Sequence, residues 1–184
     1  MKIWKLNMKK KFEINYSISF MNVISDCNIL KLNEREFVTS SYYEQFLTFW
    51  NSINYSKIIT IKNIDTNWSY RMMCLLEDDI LCVGGIDSNG FYLIKISTHQ
   101  LINKIKGPKG IYSIYKCFDG NFLCSIVDEN GSNNIIKCNF ENLCYTKISE
   151  IKQAHNKDII TCIELKDKII VSGGGDNLIK IWSF

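Results

Sequence analysis

Apolar and polar residues alternate in short runs along this chain, and the runs recur as a unit. Four segments superpose: "CNILKLNEREFVTSSYYEQFLTFW" (27–50), "CLLEDDILCVGGID" (74–87), "CFDGNFLCSIVD" (117–128) and "CIELKDKIIVSGGGD" (162–176). Each reads as an apolar strand, a polar turn, and a second strand ending in small residues. The turns Asn33-Glu34-Arg35, Glu77-Asp78-Asp79, Asp119-Gly120-Asn121 and Lys166-Asp167-Lys168 carry residues that favour tight reversal. A third strand follows in each unit: "FLTFW", "YLIKI", "NIIKC" and "LIKIW". A weaker fourth follows the first three: "KIITI", "LINKI" and "CYTKI".

Aligned third strands end at Trp4, Trp50, Ser97, Asn139 and Trp182, in steps of 46, 47, 42 and 43 residues. A period in the forties, built from four short antiparallel strands, predicts the blades of a β-propeller. The expected class is all-β, with about four four-stranded blades over 1–184. The blades are expected at 17–62, 66–107, 109–152 and 153–184, with a partial unit over 1–16. Composition agrees. There are 30 Ile but one Ala (Ala154) and one Pro (Pro108), which favours pleated sheet over helix.

The last unit resembles the WD-repeat (β-transducin-like) propeller family. The matching residues are His155 before the first strand, Ser172 and Gly173 ending the second, Asp176 in the next turn, and Trp182 ending the third. The resemblance implies that His155, Ser172, Asp176 and Trp182 form a buried hydrogen-bonded chain pinning loops to strands. A buried indole N–H and imidazole need such partners. Ser40 and Trp50 keep the ten-residue separation of Ser172 and Trp182, which extends the likeness to the first blade. There are departures. Ser183 and Asn51 follow the two tryptophans, the middle blades end in Ser97 and Asn139, and Glu44 stands where Asp176 does.

Catalytic and metal motifs are absent. The chain has two His and no Cys-x-x-Cys pair, which argues against zinc. His155 is assigned to structure, and His99, in "STHQ", to a solvated turn. Gly85 and Gly90 have phosphate-loop spacing, but Phe91-Tyr92 replace the Lys-Ser/Thr that would hold the phosphates. Asp87-x-Asn89-Gly90 and Asp128-x-Asn130-Gly131 echo half a calcium loop and read as turns. Cys74, Cys82, Cys117, Cys124 and Cys162 fall mid-strand, where free Cys behaves as a small hydrophobe. No cofactor or metal is expected. No apolar run approaches the ~18 residues of a membrane span, and the N-terminus does not read as a signal peptide. A cytoplasmic protein is the expectation. The net charge of +3 is too small to imply nucleic acid, and Lys9-Lys10-Lys11 reads as a solvated strand edge.

The resemblance implies a non-catalytic protein–protein interaction scaffold that binds a protein or peptide on a loop-lined face. Trp68, Tyr70, Arg71, Lys106 and Lys109 fall in the loops entering the second and third blades and are the candidate contacts. Their aromatic and basic character suits an acidic peptide. The alternatives are a piece of a larger propeller without separate activity, and a propeller-fold enzyme with acids converging on the channel. The last blade reads as lacking its outer strand. The strand "KFEINY" (11–16) is the candidate to complete it, and otherwise the arc has open sheet edges through which it would self-associate.

Overall fold

The structure, a computed structural model, describes residues 2–6, 12–17, 27–41, 46–62, 70–85 and 90–183. Two strands, β1 (Lys2–Leu6) and β2 (Phe12–Ser17), form an antiparallel pair. Blade one is β3 (Cys27–Lys31), β4 (Glu36–Ser41), β5 (Phe46–Asn51) and β6 (Lys57–Lys62). Blade two is β7 (Tyr70–Glu77), β8 (Ile80–Gly85), β9 (Gly90–Lys95) and β10 (Gln100–Lys106). Blade three is β11 (Ile111–Lys116), β12 (Phe122–Val127), β13 (Asn133–Glu141) and β14 (Cys144–His155). Blade four is β15 (Ile159–Glu164), β16 (Ile169–Gly174) and β17 (Ile179–Ser183). Each sheet is an antiparallel meander in chain order. The first strands of the four blades surround a cavity of about 300 Å3, lined by residues such as Leu30, Met72, Ser113 and Ile160.

Strand periodicity explains the stacking. Successive side chains point to opposite faces, so a strand buried on both sides feeds two cores. In β7, Met73 and Leu75 pack towards blade one, while Met72, Cys74 and Leu76 pack towards blade three. The positions that meet the following blade repeat. They are Leu32, Val38, Leu47 and Phe49 in blade one, Leu76, Cys82, Phe91 and Leu93 in blade two, and Cys117, Leu123 and Ile135 in blade three. In blade four the matching positions by register are Leu165, Val171, Ile179 and Ile181. There Ile179 is 80% and Ile181 72% exposed.

The structure differs from the sequence expectation in three places. The strand β2 pairs with β1 and not with β17, so "KFEINY" does not complete blade four. The physical reason is proximity in sequence, since only five residues separate β1 from β2 and closing so short a connection costs little entropy. His99 is no solvated turn residue. Its φ of 54° turns the ring inward, edge-on to Phe49 at 4.7 Å, with Nε2 3.1 Å from Glu36 Oε2. It therefore ties the third turn of blade two to blade one. Ser97 lies past the end of β9, where its backbone N–H and hydroxyl donate to Asp79 at 2.7 and 2.8 Å. Lys9-Lys10-Lys11 and Glu44 lie outside the described residues.

Candidate interaction face

The structure brings His155, Ser172, Asp176 and Trp182 together. His155 closes β14, the outer strand of blade three, while the other three belong to blade four. Trp182 Nε1 donates to Ser172 Oγ at 2.9 Å. Ser172 Oγ and His155 Nε2 are 2.8 Å apart, and His155 Nδ1 and Asp176 Oδ1 are 2.8 Å apart. A carboxylate only accepts, so Nδ1 carries the proton and Nε2 of a neutral ring accepts from the serine. His155 is 2% exposed. Burial works against the charge on Asp176. The hydrogen bonds from His155 and from the backbone N–H groups of Asn156 and Leu178 outweigh it and hold the carboxyl below its usual range. Gly174 makes room for the chain, because a Cβ there would collide with His155 Nδ1 and sit 2.7 Å from His155 Cγ and 2.8 Å from Asp176 Oδ1.

Blade one contains a shifted copy. Trp50 Nε1 donates to Thr39 Oγ1 at 2.9 Å, whereas buried Ser40 Oγ has no partner among the described residues. The ladder explains the choice. Trp182 pairs with Ile170, two before Ser172, and Trp50 pairs with Phe37, two before Thr39. Blade three has a hydroxyl chain of its own. Ser113 and Ser125 are 2.7 Å apart, and Ser125 also donates to the Ile159 carbonyl of blade four. No sequence motif marks it.

One ionic cluster escaped the sequence reading. Lys137 of β13 is 8% exposed, at a ladder position where blade four has Ile181. Its Nζ lies 2.7 Å from Asp119 Oδ2 and 3.7 Å from Glu164 Oε1 of blade four. Glu164 also accepts from the Phe118 backbone N–H at 2.7 Å. Cys117, Asp119 and Glu164 bring potential metal-binding atoms within 4.8 Å of one another. The lysine ammonium already supplies the positive charge at this place. Burial, with Glu164 nearby, pushes the Cys117 thiol up to about 12, so it stays protonated rather than becoming a metal-binding thiolate. Phe118, 75% exposed, and Lys166 and Lys168 line a cleft of about 570 Å3 beside this cluster.

The residues expected to contact a partner are placed unequally. Trp68 lies outside the described residues, and Tyr70 and Arg71 begin β7. Lys106 and Lys109 are exposed and line a cleft of about 550 Å3 at the other end of the strands from Phe118. The same cleft holds Ile126, Tyr145, Lys147, Asp128, Glu129 and Glu150, so its lining mixes charges instead of being uniformly basic. The central cavity is lined by aliphatic, Met, Asn, Ser and Thr residues and by no ionisable side chain among the described residues.

The sequence matches no family model and no curated protein. Solved structures do match the fold. The WD40 β-propeller domain of Doa1 superposes with a TM-score of 0.67 at 20% identity, over 99% of this chain and 56% of that one. A chain of the mitotic checkpoint complex superposes with a TM-score of 0.66 at 14% identity, over 82% of this chain and 46% of that one. The chain thus spans about half the length of these solved structures. Four stacked antiparallel sheets, inner strands around a central cavity and these superpositions identify the fold as a WD40-type β-propeller.

Proposed function

We propose that this protein is a non-catalytic interaction scaffold that binds a protein or peptide segment through its loop-lined face. The observation that carries the reading is the fate of the reactive side chains. His155 is committed to Ser172 and Asp176, and His99 to Glu36 and Phe49. Burial pushes the thiols of Cys74 and Cys162 up to about 11, so neither is poised as a nucleophile. Catalysis needs a nucleophile or acid–base group free to act, and these groups are consumed in holding blades together. Open clefts remain where the strands meet their loops. Propeller neighbours support the reading by analogy of fold, and one of them is a component of a complex.

Affinity capture from cell extract tests the proposal. The wild-type chain should retain a reproducible set of proteins, and joint replacement of Trp68 and Arg71 by Ala should deplete it. Capture of nothing above background would overturn the scaffold reading. An unchanged set would move the contact away from the loops entering blades two and three.

A further inference from the structure

We infer that the cleft between blades two and three is a docking site for an anionic group, a carboxylate or phosphate, carried by a short peptide segment. The inference deepens the scaffold reading and rests on it. Three bases and three acids line the cleft, but they are not equally committed. Asp128 accepts from the backbone N–H groups of Asn130 and Ser132, both at 2.9 Å, and from Asn134 Nδ2 at 3.1 Å. Glu150 accepts from Lys147 Nζ and Asn134 Nδ2, both at 3.1 Å. Asn134 is 1% exposed, so both carboxylates are fastened to a buried side chain. Lys106 and Lys109 have no such bond or ion pair among the described residues. Glu129, exposed at the rim, is the single acid left to face them. Both carboxylates keep their charge, but Lys147 is paired with Glu150 and Lys152 lies near enough to Asp128 to help hold its carboxyl ionised, so Lys106 and Lys109 against Glu129 leave one positive charge in excess.

The loop that carries these lysines is built to hold one shape. It reads Lys106-Gly107-Pro108-Lys109-Gly110. A Cβ at Gly107 would lie 2.9 Å from the Phe91 ring, so the loop is seated directly on that ring. Pro108 fixes its own backbone angle, and Gly110 has a φ of 62°. The Gly110 carbonyl accepts from the Val127 N–H at 2.8 Å, which ties the loop to β12. A loop already ordered loses little entropy when a ligand arrives. Beside it, Tyr145 packs at 5.6 Å from Phe91, and Ile126 is buried in the same lining. An anion over Lys106 and Lys109, next to an apolar residue against Tyr145 and Ile126, satisfies both halves of the cleft.

The test is an array of short synthetic peptides, randomised at each position to include Glu, phosphoserine, Gln, Ser, Leu and Lys. Bound peptides are then titrated by fluorescence anisotropy. Acidic or phosphorylated peptides should be selected. Lys106→Glu with Lys109→Glu should weaken them about tenfold or more, and added salt should weaken the wild type. Glu129→Gln should tighten the same peptides, a gain that misfolding cannot mimic. Competition by free phosphoserine against free glutamate separates phosphate from carboxylate. Selection of neutral or basic peptides, tighter binding of labelled oligouridylate, or no bound peptide would overturn the site. So would acidic peptides indifferent to the lysine changes, but that result leaves the scaffold reading standing, because a peptide is still bound. The scaffold reading itself falls only with empty affinity capture.

Discussion

Trp50 donates its indole proton to Thr39, eleven residues away, and not to Ser40, ten residues away. In blade four the equivalent bond spans ten residues, from Trp182 to Ser172. The difference comes from the hairpin. Five residues separate the paired Gly173 and Ile179, and six separate the equivalent pair Ser40 and Leu47. One residue more in the turn of blade one moves the facing hydroxyl by one position, and a one-residue move sends a side chain to the other face of a sheet.

This register makes opposite predictions for adjacent hydroxyls. Thr39→Val removes the acceptor of a buried indole and should cost about 1–2 kcal/mol. Ser40→Ala removes a buried oxygen without a partner among the described residues and should change stability by no more than about 0.5 kcal/mol. Urea unfolding of the two variants decides the matter. An equal loss for both would contradict the Thr39 assignment.

Two neighbouring glycines separate in the same way. At Gly174 a Cβ would drive into His155 and Asp176, whereas at Gly173 the nearest atom is Thr161 Cγ2 at 4.0 Å. Gly174→Ala should destabilise by about 1–3 kcal/mol through overpacking. Gly173→Ala should be tolerated. Thermal melting of both variants, with Trp182→Phe as the single-bond comparison, reads the cost of disturbing the His155 chain.

Lys137 should set the acid limit of the blade three–blade four contact. Burial opposes the charge on Asp119. The hydrogen bonds from Lys137 and Asn121 outweigh it and bring the carboxyl to about 2, from an ordinary 3.8. A carboxyl depressed by folding contributes stability above its unfolded pKa and loses it as pH falls through the folded value. The contribution should therefore be complete above about pH 4 and fade between pH 4 and 2. Lys137→Met leaves the buried Glu164 facing no cation at this place, so stability at neutral pH should fall. The acid transition should also begin at higher pH. Unfolding midpoints across pH 2–7 test this, and superposable profiles would remove Lys137 from the account.

The free face of blade four predicts association. Ile179 and Ile181 occupy positions that the other blades bury against a neighbour, and exposed apolar patches of this kind mark contact surfaces. Sedimentation of the chain should show mass rising with concentration. Ile179→Ser with Ile181→Ser should shift it towards monomer without lowering the melting temperature. Concentration-independent mass for the wild type would show that this face stays free in solution.

The strands, their turns and the four-unit repeat were legible in the sequence, because alternation of apolar residues and turn chemistry are local properties. The resemblance carried by His155, Ser172, Asp176 and Trp182 also named residues that the fold brings within hydrogen-bond reach. Tertiary structure decided what depends on register and on contact between blades. It chose Thr39 over Ser40, since a ladder counts residues across a turn rather than along the chain. It turned His99 inward onto Phe49, seated Lys137 between Asp119 and Glu164, and paired β2 with β1. It also decided that Asp128 and Glu150 are both hydrogen-bonded to Asn134 while Lys106 and Lys109 have no such partner among the described residues, because hydrogen bonds form between neighbours in space, and the sequence does not specify which those are.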